Sequence, residues 1–255
     1  MVVSNVTSID RTTLMKLENV DLIFHLGAPS SDVLFRENPI GCLKNTLVGF
    51  SEVTKFATDK GVKKLVYATS SSVYGDSKPP QSESTPTNPT NLYGAGKLIC
   101  ESIAKSHASI PTLGLRIFAG YGPGELSKGR IASVVTLFMQ SLLNHKPITI
   151  FGDGSQSRDF VYIDDIVQSM IRSAEIPDVG VMNVGSGEAR SFTQIVSDLE
   201  DVLGLKGDVI FAPTPAGYFA STLADNTRMK SKLGILPRTL PEGLKAYLRV
   251  VGRTT

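Results

Sequence analysis

Residues 63 to 75 read Lys63-Lys64-Leu65-Val66-Tyr67-Ala68-Thr69-Ser70-Ser71-Ser72-Val73-Tyr74-Gly75, and this stretch decides the fold. The part before Ser70 is a short apolar run, which is typical of a buried parallel strand. Similar runs cover residues 20–28 and 112–118, and helical patterns cover about 40–58 and 93–106. Because strands alternate with helices, the sequence predicts an α/β fold with a doubly wound parallel sheet.

The pattern changes after Gly120. A turn at Tyr121-Gly122-Pro123-Gly124 is followed by shorter strand-like and helical segments, among them residues 148–151 and 192–203. We therefore expect residues 1–120 to form one domain. Residues 121–255 would form a smaller C-terminal α/β lobe, with some of its segments returning to the first domain.

Composition excludes several classes of protein. In 255 residues, Lys plus Arg number 26 and Asp plus Glu 24, so no net field favours nucleic acid or an anionic membrane surface. Cys42 and Cys100 have no metal-like spacing and make no disulfide framework, and the histidines are scattered. No run approaches the ~20 apolar residues of a membrane span, and residues 1–10 lack signal-peptide features. We expect a cytoplasmic protein with no metal site and with no nucleic-acid or membrane partner.

Three side chains form a candidate site for proton transfer. Ser70 follows the strand at its carboxyl end, where doubly wound sheets bind ligands. Tyr93 and Lys97 share one face of the next predicted helix, where the ammonium would lower the pKa of the phenol from ~10. Tyr93 would then act as a general base on a substrate hydroxyl, and Ser70 would hydrogen-bond the same oxygen. The hydride must pass to a nicotinamide or similar cofactor, since no side chain accepts hydride.

Each of these residues also has an ordinary structural explanation. Tyr93 and Lys97 by themselves would be a solvated helix face with a packed tyrosine. Ser70 by itself would be a strand-end hydroxyl that caps a backbone group. Their order, spacing and position after a buried strand favour the catalytic interpretation.

Further motifs accompany these residues. They are Asn45-Thr46-Leu47-Val48-Gly49, Gly152-Asp153-Gly154-Ser155-Gln156-Ser157-Arg158-Asp159-Phe160-Val161-Tyr162-Ile163-Asp164-Asp165 and Asn183-Val184-Gly185-Ser186-Gly187. With them, nearly the whole chain resembles the extended short-chain dehydrogenase/reductase family, in its NAD-dependent nucleotide-sugar epimerase/dehydratase branch (UDP-glucose 4-epimerase-like). The resemblance implies a Rossmann-like fold, NAD as the cofactor and a nucleotide-diphosphate sugar as the substrate.

The resemblance also assigns roles. Residues 1–120 would be a partial dinucleotide-binding domain and residues 121–255 mainly a substrate-binding lobe. Arg158 would clamp the substrate diphosphate, which suits guanidinium geometry, rather than pair on the surface with Asp153 or Asp159. A homodimer through the helices near 40–58 and 93–106 is implied too, although their apolar positions would equally face the chain's own sheet. The implied sites are catalytic (Ser70, Tyr93, Lys97), cofactor-binding (Leu26, Gly27, Ala28, Asn45, Tyr93, Lys97) and substrate-binding (Ser71, Ser72, Arg158).

Departures from the family pattern narrow the expected reaction. Ser71 and Ser72 stand where dehydratases and decarboxylases of this group carry carboxylates, and elimination of water needs such an acid and base. An NAD-dependent nucleotide-sugar epimerase is therefore the leading prediction. The alternatives are a nucleotide-sugar reductase or dehydrogenase, and a degenerate non-catalytic binding protein. Ala119 replaces an Asn that usually contacts the sugar, and Pro215-Ala216-Gly217-Tyr218 replaces a segment with a second diphosphate Arg, so we infer a shifted specificity or a weaker site.

The Gly-x-x-Gly-x-x-Gly turn of the family does not precede these motifs. Val2-Val3 would be the remnant of the third strand, and Asn5 or Thr7 would stand where an acidic residue often holds the adenine end. Loss of the central first strand would expose the apolar edge at residues 20–28. Either an upstream segment exists or the chain is a degenerate paralogue, and the intact catalytic residues favour the first explanation.

Overall fold

The computed structural model describes residues 17–107, 109–214 and 220–252. These residues form two compact units. The first unit contains the described residues up to Ser77 together with Thr85–Ile117 and Ser169–Asn183. The second contains Lys78–Ser84, Phe118–Gln168 and the described residues from Val184 onwards. The assignment of cofactor binding to residues 1–120 and substrate binding to residues 121–255 stays a prediction.

The secondary structure alternates as the sequence predicts. The strands are β1 (Leu22–His25), β2 (Lys64–Ser70), β3 (Thr112–Ile117), β4 (Ala119–Tyr121), β5 (Ile148–Phe151), β6 (Ser157–Tyr162), β7 (Gly180–Val184), β8 (Ala189–Ser191) and β9 (Val209–Ala212). The α-helices are α1 (Asp32–Glu37), α2 (Pro39–Lys60), α3 (Leu92–Ser106), α4 (Val134–Leu143), α5 (Ile163–Glu175), α6 (Phe192–Leu203), α7 (Thr227–Leu233) and α8 (Leu240–Val250). Two 3₁₀ segments cover Ser71–Tyr74 and Glu125–Ile131.

A sheet in the order β1-β2-β3-β7 forms the base of the first unit. The strands β1, β2 and β3 run parallel, with Phe24 opposite Val66 and Thr69 opposite Arg116. The helices α2 and α3 follow β1 and β2 in the chain. The prediction of an α/β fold with a Rossmann-like parallel sheet is therefore confirmed.

The strand β1 ends the described strand order and has an exposed apolar surface. Phe24 and Leu26 are 42% and 57% exposed. The prediction that loss of a first strand exposes the edge at residues 20–28 stays a prediction. Val2-Val3, Asn5 and Thr7, to which the sequence analysis assigns a strand remnant and the adenine end, lie outside the described residues.

An apolar cluster holds the helices of the first unit on its sheet. Its buried members are Phe50, Val53, Ala57, Val62, Leu65, Tyr67, Cys100, Ala104 and Ile110. The rings of Phe50 and Tyr67 lie 4.8 Å apart between centroids. Gly114 on β3 makes room for that packing, because a Cβ there would lie 2.6 Å from the Tyr67 ring. The cluster fixes α2 and α3 against the strands that carry Ser70.

The second unit contains two small sheets. Strands β4, β6 and β8 form one, with β4 parallel and β8 antiparallel to β6, and β5 pairs with β9 in the other. Asp159 on β6 is fully buried and accepts hydrogen bonds from the backbone N–H groups of Ser186, Gly187 and Ala224 at 2.6, 2.9 and 3.0 Å. The Ser186 hydroxyl donates to the same carboxylate at 2.7 Å. A single carboxylate thus holds two loops against β6.

Candidate active site

Ser70 lies at the carboxyl end of β2, and its side chain is buried. Its Oγ accepts a hydrogen bond from the backbone N–H of Ser72 at 3.2 Å, which caps the 3₁₀ segment Ser71–Tyr74. Ser71 and Ser72 are half-buried on this segment. The two serines predicted to contact substrate therefore follow directly on the serine that is predicted to be catalytic.

The start of α3 is shaped to approach this segment. The Asn91 side chain caps the helix by accepting from the backbone N–H of Gly94 at 2.8 Å. A Cβ on Gly94 would lie 2.5 Å from the carbonyl oxygen of Ser72, so only glycine permits this close packing. The residue beside it, Tyr93, is thereby brought to Ser70.

The side chain of Ser70 lies beside Tyr93, close enough to act on the phenol by hydrogen bonding. The Tyr93 ring packs edge-on against Phe35 of α1, with 5.7 Å between ring centroids. Burial raises the pKa of Tyr93 above its ordinary value, and the Ser70 hydrogen bond opposes that rise. The phenol is therefore protonated at neutral pH and is oriented by a hydroxyl that can reach the same substrate oxygen.

Lys97 is buried one turn after Tyr93, with its Nζ 6.0 Å from the centre of the Tyr93 ring. The Nζ donates a hydrogen bond to the carbonyl oxygen of Ala68 at 3.0 Å. Burial lowers the pKa of Lys97. Burial outweighs the lowering of the Tyr93 pKa on balance, and the prediction that the Lys97 ammonium lowers this pKa stays a prediction.

The end of β1 fits the predicted dinucleotide contact. Leu26 and Gly27 are exposed and Ala28 is half-buried. The atom nearest to a Cβ built on Gly27 is 3.9 Å away, in the His25 ring, so the backbone is open to a ligand. His25 is buried, and both its burial and the charge of Lys97 lower its pKa to about 4, which places the end of β1 close to Lys97. Open backbone at the carboxyl end of a parallel strand suits NAD.

Asn45 lies half-buried on α2, the remaining residue of the predicted cofactor set. Its neighbour Thr46 faces α3, since the Cys100 thiol donates to the Thr46 carbonyl oxygen at 3.8 Å. The part of α2 that carries Asn45 therefore packs beside the helix of Tyr93 and Lys97. The residues that would hold NAD are thus Leu26, Gly27, Ala28, Asn45, Tyr93 and Lys97.

Arg158 belongs to β6 of the second unit. Its guanidinium lies over the Phe192 ring, 5.7 Å from the centroid, and Nη1 donates to the Ser157 carbonyl oxygen at 2.7 Å. The cross-strand partner of Arg158 is Arg190 on β8. Arg158 is thus held by an aromatic face and a carbonyl, a setting that suits recognition of a phosphate. Its role in binding diphosphate stays a prediction.

A buried ionic network near Ser70 is absent from the sequence analysis. Arg116 on β3 pairs with Glu101 on α3, and the side chains are 6% and 8% exposed. Thr69 donates to Glu101, and the Tyr74 hydroxyl accepts from Arg116. Two signals could have indicated it: Glu101 follows Lys97 by one helical turn, and Arg116 interrupts an apolar strand pattern.

Residues 17–107, 109–214 and 220–252 contain no group of His, Cys, Asp or Glu side chains that could hold a metal ion. None of their helices has the length and apolar character needed to cross a membrane. Pro215-Ala216-Gly217-Tyr218, which the sequence analysis compares with a diphosphate-binding segment, lies outside the described residues.

The parallel sheet with Ser, Tyr and Lys at its carboxyl edge is the architecture of extended short-chain dehydrogenases/reductases. A family model, the NAD dependent epimerase/dehydratase family, matches residues 2–185. The chain therefore belongs to the NAD-dependent epimerase/dehydratase family.

Individual relatives agree with this assignment. YtcB of Bacillus subtilis (strain 168), an uncharacterised UDP-glucose epimerase by name, is 34% identical over 91% of this chain and 75% of its own length. The UDP-glucose 4-epimerase of Mycolicibacterium smegmatis is 32% identical over 94% of this chain and 79% of its own. Among solved structures, MoeE5 in complex with UDP-glucose and NAD superposes with a TM-score of 0.89, at 29% identity over 98% of this chain and 84% of its own.

Proposed function

We propose that this protein is an NAD-dependent epimerase that inverts a sugar hydroxyl of a nucleotide-diphosphate sugar through transient oxidation at that carbon. The observation that carries the proposal is that Ser70, Tyr93 and buried Lys97 lie together, with Lys97 Nζ 6.0 Å from the centre of the Tyr93 ring. These groups lie at the carboxyl edge of a parallel sheet in a chain of the epimerase/dehydratase family.

Tyr93 moves the proton in both directions of this reaction. With its pKa raised by burial, the phenol stays protonated and so carries the proton that the sugar oxygen takes up when the ketone is reduced again. Removal of a hydroxyl proton requires a lower phenol pKa, which the Ser70 hydrogen bond favours. Ser70 also holds the reacting oxygen, and Lys97, anchored on Ala68, keeps a positive charge beside the phenol. NAD, when bound, supplies the hydride acceptor and donor and adds a positive charge in its oxidised form.

The substrate is proposed to be a UDP-sugar, since UDP-glucose stands in the names of the relatives described above. Arg158 would bind the diphosphate with its planar guanidinium, which matches two phosphate oxygens at once. Ser71 and Ser72 would contact the sugar from the 3₁₀ segment. Because the oxidised sugar stays bound, the same site can return the hydride to the opposite face of the ring.

The 3₁₀ segment that carries Ser71 and Ser72 also favours epimerisation over the elimination of water. Loss of water from a sugar needs an acid and a base in addition to the tyrosine. Ser71 and Ser72 provide hydroxyls, whose pKa lies far outside the working range of such groups. A nucleotide-sugar reductase or dehydrogenase remains the second candidate, because its proton chemistry is the same; it differs in consuming cofactor stoichiometrically.

The test compares turnover of the wild-type chain with turnover of Tyr93→Phe, which lacks the phenol hydroxyl. The chain is incubated with NAD and UDP-glucose, and both UDP-galactose formation and NADH absorbance are followed. We expect the epimer without net NADH, and a loss of about 10²–10⁴-fold in kcat for Tyr93→Phe. Tyr247→Phe in the second unit, which loses a hydroxyl contact of 3.2 Å to Thr136, is the matched control and should retain full turnover.

Other outcomes separate the alternatives. NADH that accumulates with the product would indicate a dehydrogenase. NAD and UDP-glucose binding by calorimetry without any turnover, in wild type and Tyr93→Phe alike, would indicate a binding protein. Unchanged turnover in Tyr93→Phe would contradict the proposed mechanism.

We also propose a cytoplasmic homodimer that pairs through α2 and α3. Ile40 on α2 is 75% exposed and Ile99 on α3 is 43% exposed, which leaves apolar positions available for a partner helix. Sedimentation analysis at micromolar concentration should give twice the mass of 27.4 kDa. A single species at the monomer mass would contradict the dimer.

A further inference from the structure

Helix α3 contacts strand β2 at three successive helical turns. Residues 93, 97 and 101 are each four apart, so they share one face of the helix. Tyr93 lies beside Ser70, and Lys97 donates a hydrogen bond to the Ala68 carbonyl oxygen. Glu101 accepts a hydrogen bond from the Thr69 hydroxyl. The first two contacts involve candidate catalytic groups. The third contact, 2.8 Å between Thr69 Oγ1 and Glu101 Oε1, involves no candidate catalytic group. Its role therefore needs another explanation.

Arg116 completes the third contact from the neighbouring strand. It lies directly opposite Thr69 in the parallel register of β2 and β3. Its Nε donates to Glu101 Oε1 at 3.0 Å and its Nη2 to Glu101 Oε2 at 2.7 Å. This two-pronged geometry fixes the carboxylate in orientation as well as in distance.

The third guanidinium nitrogen reaches the 3₁₀ segment. Arg116 Nη1 donates to the Tyr74 hydroxyl at 2.9 Å, and Arg116 Cζ lies 4.8 Å from the centre of the Tyr74 ring. The Tyr74 hydroxyl in turn donates to Asn183 Oδ1 on β7 at 2.6 Å. Tyr74 closes the segment that starts with Ser71 and Ser72. One guanidinium therefore joins the helix of Tyr93 to the segment next to Ser70.

A buried ion pair by itself adds little to the stability of a fold. Removing both charges from water costs about as much as the pair regains, and well-packed apolar side chains often serve equally well. Among the contacts described above, Glu101 accepts three hydrogen bonds and Arg116 donates three, so several directional contacts hold the pair. What such a network adds over apolar packing is a fixed geometry among β2, β3, α3 and the 3₁₀ segment.

We propose that Glu101 and Arg116 are positioning residues that set the distance and angle between the hydroxyls of Ser70 and Tyr93. The role rests on the proposed function, since it matters only where these hydroxyls share a substrate oxygen. Misplacement of reacting groups by about 1 Å costs up to about 100-fold in rate. Loosening the network is therefore expected to reduce kcat while leaving substrate and NAD binding intact.

The experiment uses three variants of the full chain. Arg116→Lys keeps the positive charge but loses the planar fork. Thr69→Val and Tyr74→Phe each remove one hydroxyl from an end of the network and retain the shape of the side chain. We expect kcat to fall about 10-fold in Arg116→Lys, and less in the other two, with KM changed less than about twofold.

A second readout does not depend on turnover. Tyrosine labelled with ¹³C at Cζ gives one resonance per tyrosine, and the Tyr93 signal is assigned by its disappearance in Tyr93→Phe. This resonance reports the hydrogen bond to Ser70, so we expect it to shift in all three variants. If wild-type chain fails to turn over UDP-glucose, the proposed function fails, and the Tyr93 resonance still decides the positioning role.

The control is the pair between buried Asp165 and partly exposed Arg238 in the second unit, in which Asp165 also accepts from the Arg238 backbone N–H at 2.8 Å. Asp165→Asn should lower thermal stability without changing kcat or the Tyr93 resonance. A Tyr93 resonance unmoved in Arg116→Lys, Thr69→Val and Tyr74→Phe would overturn the proposal. So would an equal response of kcat and resonance in Asp165→Asn, since any destabilised variant would then behave alike.

Discussion

The two units differ in how they use their buried polar groups. In the first unit the Ser70 side chain lies beside Tyr93, and Lys97 bonds to a backbone carbonyl. In the second unit four donors surround the Asp159 carboxylate. The first arrangement leaves protons that can be exchanged with a ligand, whereas the second fixes the backbone. Buried polar side chains therefore indicate catalytic chemistry only where their hydrogen-bond partners can themselves move protons.

The largest expected effect concerns the second unit, in which the buried Asp159 carboxylate has a structural role. Asp159→Ala leaves three buried backbone N–H groups without an acceptor, each costing about 1–3 kcal/mol. We expect urea denaturation to show a loss of about 3 kcal/mol or more in the free energy of unfolding. Asp153→Ala, nearby on an exposed turn, should leave that free energy nearly unchanged. Equal stability of the two variants would refute the structural role of Asp159.

An effect of comparable or slightly smaller size belongs to the first unit and depends on pH. Burial and Lys97 lower the pKa of His25 from 6.5 to about 4. A base whose pKa is lower in the folded state binds protons more readily when unfolded, so stability falls as pH drops from about 6.5 towards 4. At about 1.4 kcal/mol per pKa unit, the loss approaches about 3 kcal/mol. His25→Phe, which keeps the ring contact with Phe50, should remove this part of the pH dependence.

The measurement is urea denaturation of wild type and His25→Phe at several values between pH 4 and pH 7, with the two curves subtracted. The difference should be constant near neutral pH and should change steadily in the acidic range. Parallel curves throughout would mean that His25 does not differ in pKa between the folded and unfolded states.

The smallest expected effect concerns substrate binding by Arg158. Arg158→Lys keeps a positive charge but loses the planar fork and most of the stacking on Phe192. We expect KM for a UDP-sugar to rise about 10-fold, or ~1.4 kcal/mol, with kcat nearly unchanged. Arg190→Lys, directly opposite on β8, is the matched control and should leave KM unaltered. The reverse result would assign diphosphate binding to Arg190.

Much of the first unit could be predicted because its signals are local. The strand predicted at 63–69 is Lys64–Ser70, and the one predicted at 112–118 is Thr112–Ile117. A short apolar run bounded by polar turns has few alternatives to a buried strand. Because such strands are parallel, Ser70 at a strand end and Tyr93 at the start of the next helix meet at one edge of the sheet.

The rest depends on contacts that spacing does not encode. Helical spacing brings Lys97 near Tyr93, but it does not show that the amine bonds to the Ala68 carbonyl oxygen or that burial raises the pKa of the phenol. The pair of Glu101 and Arg116 joins a helix to a strand through a register that only the folded sheet defines. Sequence pattern thus located the candidate catalytic residues and missed the charges that surround them.

The most direct test of the central claim follows the hydrogen on the reacting carbon. UDP-glucose carrying deuterium at carbon 4 of the sugar is incubated with the chain and NAD in ordinary water, and the epimer is analysed by mass spectrometry. Transient oxidation at carbon 4 of the sugar, with Tyr93 taking the hydroxyl proton and the same hydride returning, predicts that UDP-galactose keeps the deuterium and that no NADH accumulates. Loss of the deuterium to water, or its recovery as free reduced cofactor, would contradict the account.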